Sequence, residues 1–242
     1  MARITVLGRS GTGKSYYTGY LLEQSVPDFD LAVHMDIEDE EGGLSDQDNE
    51  HDPLYLTLTV DKDTANALDW VRVLWNHRKV RVVPDDLTHD EIREMFAAIC
   101  RAVMRLCKDI RPELTAFISC DEAHNILKEH DFPEAVERAI TGGRKHGVET
   151  LFCSQRPALL PTTLISQADK RVYFALSDDN DIKKVNKTAS FPGDKLAKLP
   201  ARKAIVENKA TGQWEELETD GIGRKRPHFS GDDGIADRHF PV

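Results

Sequence analysis

The sequence predicts an α/β protein with a mostly parallel central sheet, helices on both faces, and a C-terminal hairpin and tail. Three observations carry this. Short apolar runs alternate with stretches of helical periodicity, the pattern of strand–helix–strand units. The first run, Ile4-Thr5-Val6-Leu7, feeds directly into Gly8-Arg9-Ser10-Gly11-Thr12-Gly13-Lys14-Ser15, a G-x-x-x-x-G-K-S loop that opens a helix. A later apolar run, Thr115 to Cys120, ends in Asp121-Glu122.

Taken in order, residues 3–7 read as a buried first strand and Lys14 to about Gln24 as the helix it feeds. Phe29 to Met35 reads as the second strand, ending in an acidic, glycine-containing loop from Asp36 to Leu44 in which Asp36 or Glu40 could act. Residues 45–53 are polar and expected to be mobile. Leu54 to Val60 reads as a strand, Thr64 to Trp75 as one short helix, and Val80 to Val83 as a strand; Trp70 and Trp75 are expected to be packing residues. From Thr88, the apolar residues Ile92, Met95, Phe96, Ile99, Val103 and Leu106 have helical spacing, and Thr88 with Glu91 makes a capping box. That helix ends before Pro112. After the Thr115–Cys120 strand, Pro133 to Ile140 reads as a helix, Thr150 to Cys153 as a strand, and residues 158–168 as a loop or short helical turn. Val172 to Leu176 reads as a further strand and Asp178 to Val185 as a helix. Two runs around 204–206 and 214–217 flank Asn208 to Gly212 as a hairpin. The division is therefore one domain over 1–219 and a polar, flexible tail over 220–242, in which Arg224-Lys225-Arg226 are expected to be solvated or to touch nucleic acid or a shell protein.

Composition narrows the functional classes. With 242 residues the chain can bury one sizeable core. Its net charge of −10, from 42 acidic against 32 basic residues, argues against a uniformly cationic nucleic-acid clamp. A small basic patch facing a central channel stays compatible with that balance. Cys100, Cys107, Cys120 and Cys153 lack zinc or disulfide spacing and are expected to be buried thiols. No long apolar segment or cationic leader marks a membrane span or secretion signal.

The motifs assign chemistry. Glycines let a loop curl its amides toward phosphate oxygens at a helix N-terminus, so Gly8 through Ser15, with Tyr16 beside them, are the candidate ATP-binding residues. Lys14 would reach the β- and γ-phosphates, and the Ser15 hydroxyl would ligate Mg²⁺. Asp121, delivered by its strand, would hold the Mg²⁺ shell, and Glu122 would polarise the attacking water. Gln155, at a strand end, can hold that water or sense the γ-phosphate. Arg144, with Lys145 as the fallback, lies in a basic turn from which it could reach a phosphate across a subunit boundary.

With those residues in place, residues 1–206 resemble the HerA/FtsK-type P-loop ATPases, and most of all the compact genome-packaging ATPases of tailless viruses with an internal membrane. The resemblance rests on the phosphate loop, the Asp36–Leu44 loop, and Phe117 to Asn125 with its Asp-Glu-Ala-His-Asn. It also rests on Gly143-Arg144-Lys145-His146-Gly147 and on Ser154-Gln155-Arg156-Pro157. It implies a RecA-like fold and an ATP-hydrolysing homo-oligomeric ring, a hexamer, with sites between subunits and double-stranded DNA in the centre. A capsid or internal-membrane protein would be its partner, at a virion packaging vertex or in the host cytoplasm. No N-terminal barrel, membrane region or C-terminal winged helix is expected, which favours the packaging branch. The alternatives are a nucleotide-gated assembly protein without translocation, a helicase-like ATPase and a conjugative-type ATPase. The DNA-contact candidates are the polar loop after Asn125 and Arg78, Lys79 and Arg81.

Overall fold

The computed structural model describes residues 3–46 and 51–228. The expected mobile stretch at 45–53 lies partly, and the tail from 229 onward wholly, outside them. Among the described residues nine strands form one sheet. In chain order they are β1 (Ile4–Leu7), β2 (Leu31–Met35), β3 (Leu56–Val60), β4 (Lys79–Pro84), β5 (Ala116–Cys120), β6 (Val148–Ser154), β7 (Lys170–Tyr173), β8 (Lys203–Asn208) and β9 (Gln213–Glu218). Their spatial order is β3-β4-β2-β5-β6-β1-β7-β8-β9. β1 to β7 run parallel, and β8 and β9 close the sheet edge antiparallel, as the predicted hairpin.

The central strands are buried throughout, as strands covered on both faces must be. Alternate side chains therefore feed two cores. On β6, Phe152 packs with Phe96 and Ile99 of the helix His89–Arg105, whereas Leu151 and Cys153 face Tyr17 and Leu22 of helix α1 (Lys14–Ser25). The register places Leu7 beside both Ser154 and Tyr173, and Cys120 beside Phe152. The last residues of β1, β5 and β6 thus come together at one edge of the layer, where open α/β sheets bind ligands. No described helix is long and apolar enough to cross a membrane.

The capping box forms as expected: Glu91 N donates to Thr88 Oγ1 while Thr88 N donates to Glu91 Oε2. The single helix expected over 64–75 is instead two, Lys62–Ala67 and Trp70–His77. Leu68 is extended, and the Asp69 carboxylate accepts from Val71 N and Arg72 N, capping the second helix and breaking the first. Trp70 packs in the core as expected, but Trp75 is 38% exposed, with the Arg78 and Arg111 guanidiniums over its ring. All four cysteines are free and buried.

Residues 220–228 run back across α1. The Arg224 guanidinium, only 1% exposed, is paired with Glu23 at 3.3 Å and Glu41 at 2.7 Å. The solvated reading of this arginine is thereby replaced. Two glycines make the room: a Cβ on Gly19 would lie 2.3 Å from the guanidinium, and one on Gly43 2.2 Å from the Pro227 carbonyl.

Candidate active site

The phosphate loop is anchored before it turns. Gly8 N donates to Ser154 O and Arg9 N to Ala175 O, tying its start to the ends of β6 and β7. A Cβ on Gly8 would sit 2.4 Å from Phe174 Cβ, so only glycine fits there. Gly11 and Gly13 have φ of 74° and 97°, a handedness that side-chain-bearing residues resist. Thr12 is buried, its hydroxyl donating to Arg9 O at 2.7 Å. Arg9, Ser10, Gly11, Gly13, Lys14, Ser15 and Tyr16 line a cavity of about 260 Å³, with Glu40 and Gln155 opposite.

Lys14 opens α1 and is 3% exposed, its Nζ 2.9 Å from Glu122 Oε1, 3.9 Å from Asp121 Oδ1 and 3.4 Å from Cys153 Sγ. Burial works against its charge. The facing Cys153 sulfur, Asp121 and Glu122 outweigh that and raise its pKa. Burial also pushes the Cys153 thiol well up.

Glu122 has φ of 42°, a left-handed turn between β5 and the 3₁₀ turn Ala123–Asn125 that swings its carboxylate toward Lys14. Besides Lys14 it receives Gln155 Nε2 at 2.7 Å and faces His124 Nδ1 at 3.1 Å. Burial alone would raise its pKa. The hydrogen bond with His124 and the charge and hydrogen bond of Lys14 win, and hold the carboxyl down to about 2. His124 carried no role in the sequence reading, although it stands within the Asp-Glu-Ala-His run; its Nδ1 also meets Ser154 Oγ at 3.2 Å.

The structure separates the two acidic-loop candidates. Asp36 is fully buried, 2.5 Å from Arg81 Nη1, and accepts from Glu40 N and Glu41 N, so it shapes the loop. Arg81 is committed to Asp36 and Asp39 and is withdrawn as a DNA contact. Glu40, from the acidic loop, lines the cavity and is hydrogen-bonded with Ser15. Burial, and then the neighbouring Asp121 charge, push its pKa up.

Arg144 is placed elsewhere. It sits in the 3₁₀ turn Gly143–His146 before β6, while Gln155 follows the last residue of that strand. Seven strand residues put on the order of 20 Å between them. Arg144 is 62% exposed and 3.9 Å from Asp169. Within one chain it does not join the Lys14–Glu122 cluster, and Lys145 shares its exposed turn.

The residues present fit a nucleoside triphosphate and Mg²⁺: a glycine-shaped concavity, a buried lysine, and Ser15, Asp121 and Glu40 as hard oxygen donors. Among the described residues no cluster of three or more His, Cys, Asp or Glu could hold a metal ion by itself.

A phosphate loop at the end of a central parallel strand, with an acidic pair from the neighbouring strand but one, defines a RecA-like P-loop NTPase fold. No family model and no curated protein matches the sequence. The solved structures similar to it include the genome packaging NTPase B204 from Sulfolobus turreted icosahedral virus 2 with AMPPCP. That match has a TM-score of 0.64 at 18% identity, over 89% of this chain and 96% of the other. The bacterial conjugative coupling protein TrwBdeltaN70, in complex with sulphate, matches with a TM-score of 0.65 at 13% identity, over 96% of this chain and 87% of the other. At such identities the likeness is one of fold.

Proposed function

We propose that this chain is an Mg²⁺-dependent ATPase that works as a ring motor, most like a hexamer, translocating double-stranded DNA to package a viral genome. One observation carries the hydrolytic reading: Glu122 is held between Lys14, His124 and Gln155, facing the phosphate loop. The neighbours named for genome packaging and for conjugative coupling support action on DNA, and the 96% span of B204 supports packaging.

The chain's own residues supply the following steps. The loop binds the phosphates at the N-terminus of α1. Ser15 and Asp121, with Glu40 alongside, would hold Mg²⁺, which would supply charge neutralisation at the phosphates. Lys14 exchanges Glu122 for a phosphate oxygen. Losing that partner lets the Glu122 pKa rise from about 2 toward the ordinary carboxylate range, where it can draw a proton from water. Gln155 moves with it, because its amide is bonded to the same carboxylate. Arg144 acts on the site of a neighbouring copy, which explains its distance from its own loop. A capsid or internal-membrane protein at the packaging vertex is the proposed docking partner.

Mixing Glu122→Gln with Arg144→Ala subunits tests the shared site. Mixed rings should regain active interfaces that neither variant forms alone; no gain over the single variants contradicts it.

A further inference from the structure

A second cavity, of about 600 Å³, adjoins the phosphate cradle and shares Gly11, Gly13, Tyr16 and His228 with it. Its far wall is Arg202 and the chain from Thr219 to Gly223. The two halves differ in chemistry. The first presents Lys14, Glu40 and Gln155; the second presents the Tyr16 ring, Ile222 and a glycine-flanked stretch of peptide backbone.

That wall is tied to the phosphate loop. Arg202 N donates to Thr12 O at 2.9 Å, and Thr219 N and Oγ1 both donate to Arg202 O. Tyr16 Oη donates to Ile222 O at 3.0 Å and accepts from Arg224 N at 3.3 Å. The buried Arg224 pairs with Glu23 and Glu41 then pin the segment over α1. A flat apolar group with polar edges, tethered to phosphates lying in the first half, is the chemistry this second half suits: ring faces and Ile222 for its surface, backbone amides and carbonyls for its edges. The Arg202 guanidinium, 71% exposed and 3.1 Å from Asp220, gives this wall a planar stacking partner.

We propose that the nucleoside moiety of the bound triphosphate occupies this second cavity, and that residues 219–223, pinned through Arg224, form its recognition wall. The inference rests on the nucleotide reading above and adds a base and ribose subsite to it. The chain segment after the last strand is then part of the ATP site.

The test compares calorimetric binding of ATP and of inorganic tripolyphosphate, each with Mg²⁺, to the full chain. Gly223→Phe adds a ring to the wall residue Gly223, where a Cβ meets no heavy atom within 4 Å and so does not enter the core. Arg202→Ala, which removes a side chain 71% exposed and keeps the backbone bonds to Thr12 and Thr219, provides a second variant outside the core. Wild type should bind ATP at least about tenfold more tightly than tripolyphosphate. Gly223→Phe should erase that advantage and Arg202→Ala should reduce it severalfold, with tripolyphosphate affinity within about twofold of wild type in both. An ATP advantage that survives in both variants, or equal wild-type affinity for the two ligands, overturns the subsite while leaving the phosphate site standing. Binding of neither ligand to wild type overturns the nucleotide reading and the subsite with it.

Discussion

In the proposed hydrolysis the chemistry turns on Glu122, and its environment makes two predictions. Glu122→Gln should keep ATP binding, because Lys14 and the loop are intact, yet lower the hydrolysis rate by about 10²–10⁴-fold; single-turnover measurement with a nucleotide-binding control checks this. The pH dependence follows from the direction of its shift. A carboxyl at about 2 when folded, against an ordinary value of 4.5, contributes stability that is present above the ordinary value and lost as pH falls toward 2. Urea unfolding midpoints should therefore drop more steeply below pH 4.5 in wild type than in Glu122→Gln. Much of this site was legible in residues alone: the loop, the acidic pair and Gln155 all declared themselves by strand-end position. His124 and the division of labour between Asp36 and Glu40 did not. Those depend on side-chain direction, and on Arg81 arriving from β4 to claim Asp36.

Among the elements, the segment after β9 changed most between sequence and structure. Its composition reads as solvated, because what makes room for Arg224 is the absence of a side chain at Gly19, and for Pro227 the absence of one at Gly43, both far away in sequence. Arg224→Ala would leave Glu23 and Glu41 buried without their cation and should cost roughly 3–5 kcal/mol, measurable by equilibrium urea denaturation. The break between the two helices at Leu68 was hidden for a different reason. Leu68, Val71, Leu74 and Trp75 keep helical phase across it, so periodicity sees one helix while the Asp69 cap makes two. Asp69→Ala should cost about 1 kcal/mol in the same assay. By contrast, the Thr88–Glu91 box and the strands β1, β5 and β6 needed no tertiary information: their signals are local and mutually consistent.

At the scale of the whole molecule, the sheet order puts the phosphate loop, the acidic pair and Gln155 on one edge and Arg144 on the other. In the proposed ring, a single copy would hold one half of the hydrolytic site and would offer Arg144, 3.9 Å from Asp169 in its own chain, to the site of a neighbour. Head-to-tail packing of copies around a ring would bring one edge to the other, a heterologous contact that closes when the rotation allows. Of the residues expected to touch DNA, Arg81 is held by the acidic loop and Lys79 donates to Val26 O. The most direct test of the motor reading is the ATPase rate with and without duplex DNA, measured on material fractionated by oligomeric state. Clear stimulation by duplex in the ring fraction, absent from monomer, is the predicted result; hydrolysis that ignores duplex DNA in every fraction would contradict it.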